Sequence, residues 1–279
     1  MRRNRNHFAP GRIISLLILA VVAAGAIFPL VWMILASFKG RTEVFAIPLR
    51  LLPENWDLTN YEEIFSDSTF DFVRSLLTTL LVSASAVVLS LLINTMAGYA
   101  FARVEFYGKR ILWVYCIVTM FIPGLTIMLT SFLVVNALGM LNTFWVLLLP
   151  GLASGYNIFF FRQFYLNLPM ALEDAARIDG AGRFKIYYSI FIPMSKAPLV
   201  VLGAGVFMGY WNSFLWPSLT VNSPGLMQIM QIIRSMSSVY STEYGKVMAA
   251  TTIAILPPLI LFFIFQKYIV QGVVLSGIK

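Results

Sequence analysis

Charged residues are scarce in this chain: they make up 11% of its 279 residues, whereas hydrophobic residues make up 59%. A water-soluble domain of this length would lack the polar side chains to cover its surface. The single histidine and single cysteine exclude an HExxH zinc site and a Cys-x-x-Cys pair. No lysine precedes a serine or threonine, so the phosphate-binding loop of many ATPases is absent. These absences argue against hydrolytic, metal-dependent and ATP-hydrolysing chemistry and place the chain in a membrane.

Long uncharged runs predict the membrane spans. A bilayer core of about 30 Å requires about 20 apolar residues in a helix. We predict six such helices, at Ile13–Ala36, Leu76–Phe101, Ile111–Val135, Phe144–Phe161, Ala197–Val221 and Val247–Phe265. The first run passes through Ala24-Gly25-Ala26, which resembles a signal-peptidase site, but it is too long for the apolar region of a signal peptide.

The distribution of basic residues predicts the orientation. With a cytoplasmic N-terminus, most of the 20 lysines and arginines fall inside the cell, and most of the 12 acidic residues fall outside. The outside segments then contain only six basic residues, Lys39, Arg41, Arg50, Arg74, Arg234 and Lys246. The positive-inside rule therefore places both termini in the cytoplasm. Topology alone explains the net charge of +8, so nucleic-acid binding is not needed to account for it.

The predicted spans contain no Asp, Glu, Lys or Arg. Carriers driven by protons or sodium usually place such residues near the bilayer centre, so this pattern argues against a secondary transporter. A channel remains compatible with it. If transport is driven by ATP, another subunit must supply the ATPase.

The longest cytoplasmic segment, 162–196, contains the polar stretch EDAARIDGAGRFKIYYSIFIP from Glu173 to Pro193. Pro169 is expected at the first helical position, and acidic residues in the first turns favour the positive end of the helix dipole. Gly180 is expected to end this helix of about three turns. On physical grounds, the segment is either a contact helix for another protein or a surface loop whose charges fix the topology.

The spacing Asp174-Ala175-Ala176-x3-Gly180-x9-Ile190-x-Ile192-Pro193 resembles the EAA loop of ABC importer permeases, written E-A-A-x3-G-x9-I-x-L-P. Asp replaces the usual Glu, and Ile replaces Leu. Other segments resemble the smaller six-span permease of maltose-type carbohydrate importers. In chain order these are Pro29–Trp32, Ser37–Lys39, Trp56, Asn60-Tyr61, Tyr99–Arg103, Trp211-Asn212, Gln266–Tyr268, Gly272 and Gly277–Lys279.

The resemblance implies an all-α membrane protein with the type I ABC importer permease fold, six transmembrane helices and a cytoplasmic coupling helix. It implies a tail at 1–12, a transmembrane domain at 13–270 with its core at about 72–270 and its EAA loop at 167–196, and a tail at 271–279. The implied ATPase contacts are Glu173, Asp174, Ala175, Ala176, Asp179 and Gly180. Glu173 can supply the charge of the motif's usual Glu.

The implied partners are a second permease, two ATP-binding subunits and an extracytoplasmic substrate-binding protein, in a bacterial cell membrane. ATP and Mg would be used by the ATPase, with no cofactor bound by this chain and no catalytic residue in it.

Trp211, Asn212 and Ser213 are the candidates for the substrate path, since a sugar is held by aromatic faces and neutral hydrogen-bonding groups. The in-span amides Asn94 and Asn157 are more typical of helix-to-helix hydrogen bonds. Two alternatives remain: an importer of another polar solute such as a glycerol phosphate, and a channel or carrier of another class.

Overall fold

Every regular element of the described chain is helical. The computed structural model describes residues 10–40, 42–48, 50–67, 69–239 and 243–277, and these ranges contain no β-strand. The all-α prediction is therefore confirmed for this part of the chain. The predictions made for residues 1–9, for Arg41 and for Ile278-Lys279 concern residues outside the described ranges.

The α-helices are, in chain order, α1 Pro10–Ala36, α2 Thr59–Ser66, α3 Phe72–Arg103, α4 Lys109–Thr119, α5 Gly124–Ala137, α6 Phe144–Leu148, α7 Gly155–Leu166, α8 Met170–Ile178, α9 Arg183–Ile186, α10 Ile192–Met194, α11 Lys196–Trp211, α12 Leu215–Thr220, α13 Ile229–Val239 and α14 Tyr244–Gly277. A π-helical turn at Tyr187–Phe191 joins α9 to α10, and Pro224–Leu226 forms a 3₁₀ turn. Helix α14 continues into the segment predicted as the C-terminal tail.

The chain forms two compact units, Met1–Ser68 with Ile233–Ile255 and Thr69–Ile232 with Leu256–Lys279. In the first unit, the Asn60 amide donates hydrogen bonds to the carbonyls of Ser37 (2.8 Å) and Lys39 (2.9 Å). The Phe38 ring packs against Trp56 and Tyr61, with centroid distances of 5.3 and 5.4 Å. Two stretches that the sequence presents separately, Ser37–Lys39 and Asn60-Tyr61, therefore form one structure at the end of α1.

In the second unit, α3 is the central helix and packs along both α7 and α11. Glycines allow helices to approach closely. A Cβ at Gly98 of α3 would lie 2.7 Å from the Cβ of Phe161 in α7, and a Cβ at Gly155 of α7 would lie 2.6 Å from the Cys116 carbonyl in α4. Small residues at such crossings are typical of membrane helices, which associate through van der Waals packing.

Three helices in the described part of the chain are long and apolar enough to cross a membrane alone, namely α1, α3 and α14. Two further spans are possible as bent pairs, α4 with α5 at 110° and α9–α10 with α11 at 81°. This measure does not confirm the predicted count of six. The predicted fourth span divides into α6 and α7, and the predicted fifth ends as α11 at Trp211 before the short α12.

The break in the predicted fourth span contains Pro150, which donates no backbone hydrogen bond, and Gly151, whose φ is +91°. The backbone groups freed by the break are bound by side chains. The Asn94 amide donates to the Leu152 carbonyl at 2.8 Å and accepts from the Ser154 N–H at 2.9 Å. The Tyr210 hydroxyl donates to the Pro150 carbonyl at 2.9 Å. Hydrogen bonding to neighbouring helices thus stabilises irregular backbone that an apolar interior would otherwise disfavour.

We predict that Asn94→Leu lowers stability, because the fully buried Asn94 satisfies both a donor and an acceptor in the break. The expected loss is about 1–2 kcal/mol, measured as a lower thermal unfolding midpoint of the protein in detergent. Asn136→Leu, at an exposed amide, is the control. Equal midpoints for the two variants would show that Asn94 does not support the break.

Candidate functional site

The coupling helix α8 has well-defined ends. Pro169 lies at the N-cap with φ −59° and ψ 132°, one position before the predicted first helical position. At the other end, Gly180 has a φ of +76°, in the left-handed region. Its N–H donates to the Arg177 carbonyl at 3.0 Å, and the Ala181 N–H donates to the Ala176 carbonyl at 2.9 Å. These two bonds form a Schellman motif, so the prediction that Gly180 ends the helix is confirmed.

The acidic residues of α8 face in different directions. Glu173 is 1% exposed and accepts a hydrogen bond of 2.6 Å from Arg177. Asp174 and Ala175 are exposed, as are Asp179 and Gly180 at the end of the helix. Glu173 is therefore held within this chain, whereas Asp174, at the position of the motif's usual Glu, is free to meet another protein.

An aromatic cluster lies beneath α8. Phe191 packs edge-on against Tyr99 and Tyr165, at centroid distances of 4.9 and 5.2 Å. The buried members of the cluster come from α3, α7, α9, the π-helical turn and α11, and Ala176 and Ala181 pack against it. The coupling helix consequently rests on side chains that belong to the membrane helices.

Arg103, at the end of α3, is a site residue for which the sequence indicated no role beyond its place in the permease-like segment Tyr99–Arg103. Its Nη2 donates to the carbonyls of Tyr165 and Leu168, each at 2.6 Å, at the C-terminal end of α7. Its Nε lies 3.9 Å from Glu173 Oε2. Two signals were available: the resemblance of Tyr99–Arg103 to the permease family, and an arginine at the end of an apolar run, which the positive-inside rule already explained.

A cavity of about 940 Å³ lies in the second unit, between α5, the break in the fourth span, α7, α11 and α12. Its polar or aromatic lining residues, among those described, are Ser131, Ser154, Tyr156, Asn157, Tyr210, Asn212, Ser213, Phe214, Trp216 and Gln228. The lining, within the described part of the chain, contains no Asp, Glu, Lys, Arg or His. Such a wall suits a neutral, hydroxyl-rich ligand better than an ion.

The structure separates the three residues predicted for the substrate path. Asn212 and Ser213 line the cavity at the end of α11. Trp211 is 2% exposed, stacks on Phe207 at 5.4 Å, and lies behind the wall rather than on it. The aromatic residues on the wall are Tyr156, Tyr210, Phe214 and Trp216 instead. Asn157 also lies on the cavity wall, whereas the Asn94 amide is hydrogen-bonded to the backbone of the break between α6 and α7.

The fold and the coupling helix together define a helical membrane permease, and comparisons with known proteins place it in a family. Residues 94–275 match the family of binding-protein-dependent transport system inner membrane components. The chain is 32% identical to the arabinooligosaccharides transport system permease protein AraQ of Halalkalibacterium halodurans, over 93% of this chain and 94% of that protein. It is 30% identical to the lactose transport system permease protein LacG of Rhizobium radiobacter, over 96% of each chain.

A solved structure has the same fold. It is a chain of a bacterial ABC transporter involved in the import of the acidic polysaccharide alginate, with a TM-score of 0.82 and 22% identity over 95% of this chain and 99% of that chain. The chain described here belongs to the family of binding-protein-dependent transport system inner membrane components, the permease subunits of ABC importers.

We predict that Gly180→Ala loosens the end of α8, because an alanine with a positive φ costs about 1–2 kcal/mol. Hydrogen exchange measured by mass spectrometry should be faster in the variant than in the wild-type protein at the backbone amides of positions 180 and 181. Gly182→Ala is a matched control, since Gly182 has a φ of −71° and, like Gly180, has open space around it. Similar exchange in the two variants would contradict the role assigned to Gly180.

Proposed function

We propose that this chain is the sugar-conducting permease subunit of an ATP-driven importer, coupled through α8 to a separate ATPase. The observation that carries the proposal is the construction of α8. It is a capped helix with an exposed acidic residue and exposed alanine on one side and the aromatic cluster of the membrane helices on the other. A force applied to the exposed side is thereby passed to the spans.

The ATPase contact is assigned to Asp174, Ala175, Asp179 and Gly180, with Ile178 beside them at 87% exposure. The small side chains of Ala175 and Gly180 let another backbone approach, and Ile178 supplies apolar area that association would bury. Ala176 is partly buried and Glu173 is fully buried, so these two support the contact from below. ATP and Mg are used by the ATPase, and this chain performs no catalysis.

The complex we propose contains a second permease, two ATP-binding subunits and an extracytoplasmic binding protein that delivers the substrate. The 18-residue apolar window of α1 has no buried residue, which leaves it available to lipid and to a second permease. The positive-inside rule supports cytoplasmic termini, with α8 on the same side as the ATPase.

The substrate we propose is an uncharged mono- or oligosaccharide. Two of the relatives are named for transport of arabinooligosaccharides and lactose. The uncharged cavity wall, with its tyrosines, tryptophan and amides, provides stacking faces and hydrogen bonds for sugar hydroxyls. A glycerol phosphate is the second candidate, but a phosphate usually requires arginine or lysine, which the described lining does not provide.

Reconstitution with the partner permease, ATPase and binding protein in proteoliposomes tests this function. We expect ATP-dependent uptake of neutral oligosaccharides and little uptake of glycerol 3-phosphate. Asp174→Lys should reduce sugar uptake by about tenfold or more, because reversing a charge at a protein interface costs several kcal/mol. Glu105→Lys reverses a carboxylate of the other cytoplasmic loop, where the side chain is 89% exposed, and should leave uptake unchanged. Wild-type uptake in Asp174→Lys would refute the assigned contact.

A separate prediction concerns the cavity. Asn212→Leu and Ser213→Ala should each raise the transport KM for sugar by about three- to tenfold, because each removes one hydrogen-bonding group. ATPase activity without substrate should not change. Ser218→Ala, at an exposed serine of α12 that does not line the cavity, is the control. An unchanged KM in both cavity variants would place the sugar path elsewhere.

A further inference from the structure

A buried guanidinium at the end of α3 connects four elements of the cytoplasmic side. The Arg103 side chain is 4% exposed. Its Nη2 donates to the carbonyl of Tyr165, in the last turn of α7, and to that of Leu168, two residues after the helix ends. Its Nη1 contacts the sulfur of Met170, the first residue of α8. Its Cζ lies 5.4 Å from the ring centroid of Phe191 in the π-helical turn.

The bonds to α7 place a positive charge at a helix C-terminus. The last carbonyls of a helix have no partner within it, and they form the negative end of the helix dipole. The two N–H groups of Arg103 Nη2 donate to one carbonyl each, those of Tyr165 and Leu168. Arg103 thus fixes the end of α7 to the end of α3.

The interaction of Arg103 with Glu173 of α8 is electrostatic and involves no hydrogen bond. Glu173 is the only buried residue of α8, and its side chain is 1% exposed. Its Oε1 is bound by Arg177 of the same helix at 2.6 Å, while its Oε2 faces Arg103 Nε at 3.9 Å. Neither the Arg103 Nε nor the Glu173 Oε2 has a hydrogen-bond partner, although both atoms are buried. The two opposite charges face each other across a gap that is about 1 Å longer than a hydrogen bond.

Other side chains provide few attachments between α8 and the spans. Leu172, Asp174, Ala175 and Ile178 are exposed, and Ala176 contributes only a methyl group to the aromatic cluster. A sideways push on α8 is therefore resisted by the attraction between Arg103 and Glu173, together with the contacts of Met170 and Ala176. Both charges are buried, so solvent screens the attraction between them little, and Glu173 is bound by Arg177 as well.

We infer that Arg103 and Glu173 are a positioning pair that transmits displacement of the coupling helix to α3 and α7 together. The inference rests on the proposed function and deepens it. Glu173 acts inside this chain, Asp174 acts toward the ATPase, and the adjacent carboxylates of the motif have separate tasks. The gap between Arg103 Nε and Glu173 Oε2 closes when α8 is pressed toward the end of α3.

The experiment uses the full transporter in proteoliposomes and measures sugar uptake and ATP hydrolysis in the same preparation. Glu173→Gln keeps the shape of the side chain, and Arg103→Met keeps most of its length. We expect each variant to lower the number of sugars imported per ATP hydrolysed by about two- to thirtyfold, as is typical for residues that carry coupling between sites. ATPase activity without binding protein should remain, because neither residue contacts the ATPase.

The double variant separates a shared link from two independent defects. If the two residues act through one contact, Arg103→Met with Glu173→Gln should be no worse than the more severe single variant. Independent, multiplying losses would overturn the inference. Glu105→Gln, which neutralises an exposed carboxylate paired with Lys109, is the matched control and should keep the wild-type ratio.

The outcomes also distinguish this inference from the proposed function. Loss of uptake in Asp174→Lys together with a normal sugar-to-ATP ratio in Glu173→Gln would refute the positioning pair and leave the importer intact. Absence of ATP-dependent sugar uptake by the wild-type complex would refute the function itself. If Arg103→Met does not assemble, Glu173→Gln alone decides the result, because it retains the hydrogen bond from Arg177 to the side-chain oxygen.

Discussion

Backbone hydrogen bonding in an apolar surrounding is the constraint on which this structure depends. A helix meets that constraint by itself, but each interruption leaves N–H and C=O groups that lipid cannot bind. The chain uses side chains from neighbouring helices for this purpose. Asn94 and Tyr210 bind the break between α6 and α7, and Arg103 binds the end of α7. The polar side chains at these helix ends therefore determine where the backbone can depart from a helix.

The same constraint explains the position of the cavity. The break between α6 and α7 and the end of α11 both lie on its wall, through Pro150, Gly151 and Asn212. Where the backbone leaves the helix, it opens space that neighbouring side chains do not fill. Serines, amides and tyrosines then line that space, so a polar wall forms among apolar helices without any ionised group in the described lining.

The sequence predicted the elements whose cause is local. Uninterrupted apolar runs predicted α1, α3 and α14, and Gly180 with the preceding acidic turn predicted the length of α8. The bends were harder to predict, because a proline such as Pro123 signals an interruption without giving its angle, and α4 and α5 meet at 110°. The burial of Glu173 involves Arg103, which is distant in sequence, so no local pattern distinguished the buried Glu173 from the exposed Asp174. Trp211 illustrates the same limit, since composition does not tell which side of α11 meets the cavity.

The two glycine crossings restrict how α7 can move. At Gly98 and at Gly155 there is no room for even one additional carbon atom between α7 and its neighbours α3 and α4. A rotation of α7 about its own axis would bring a larger side chain into one of these places. We therefore expect α3, α4 and α7 to tilt together as one rigid body, without rotation of one helix against the others.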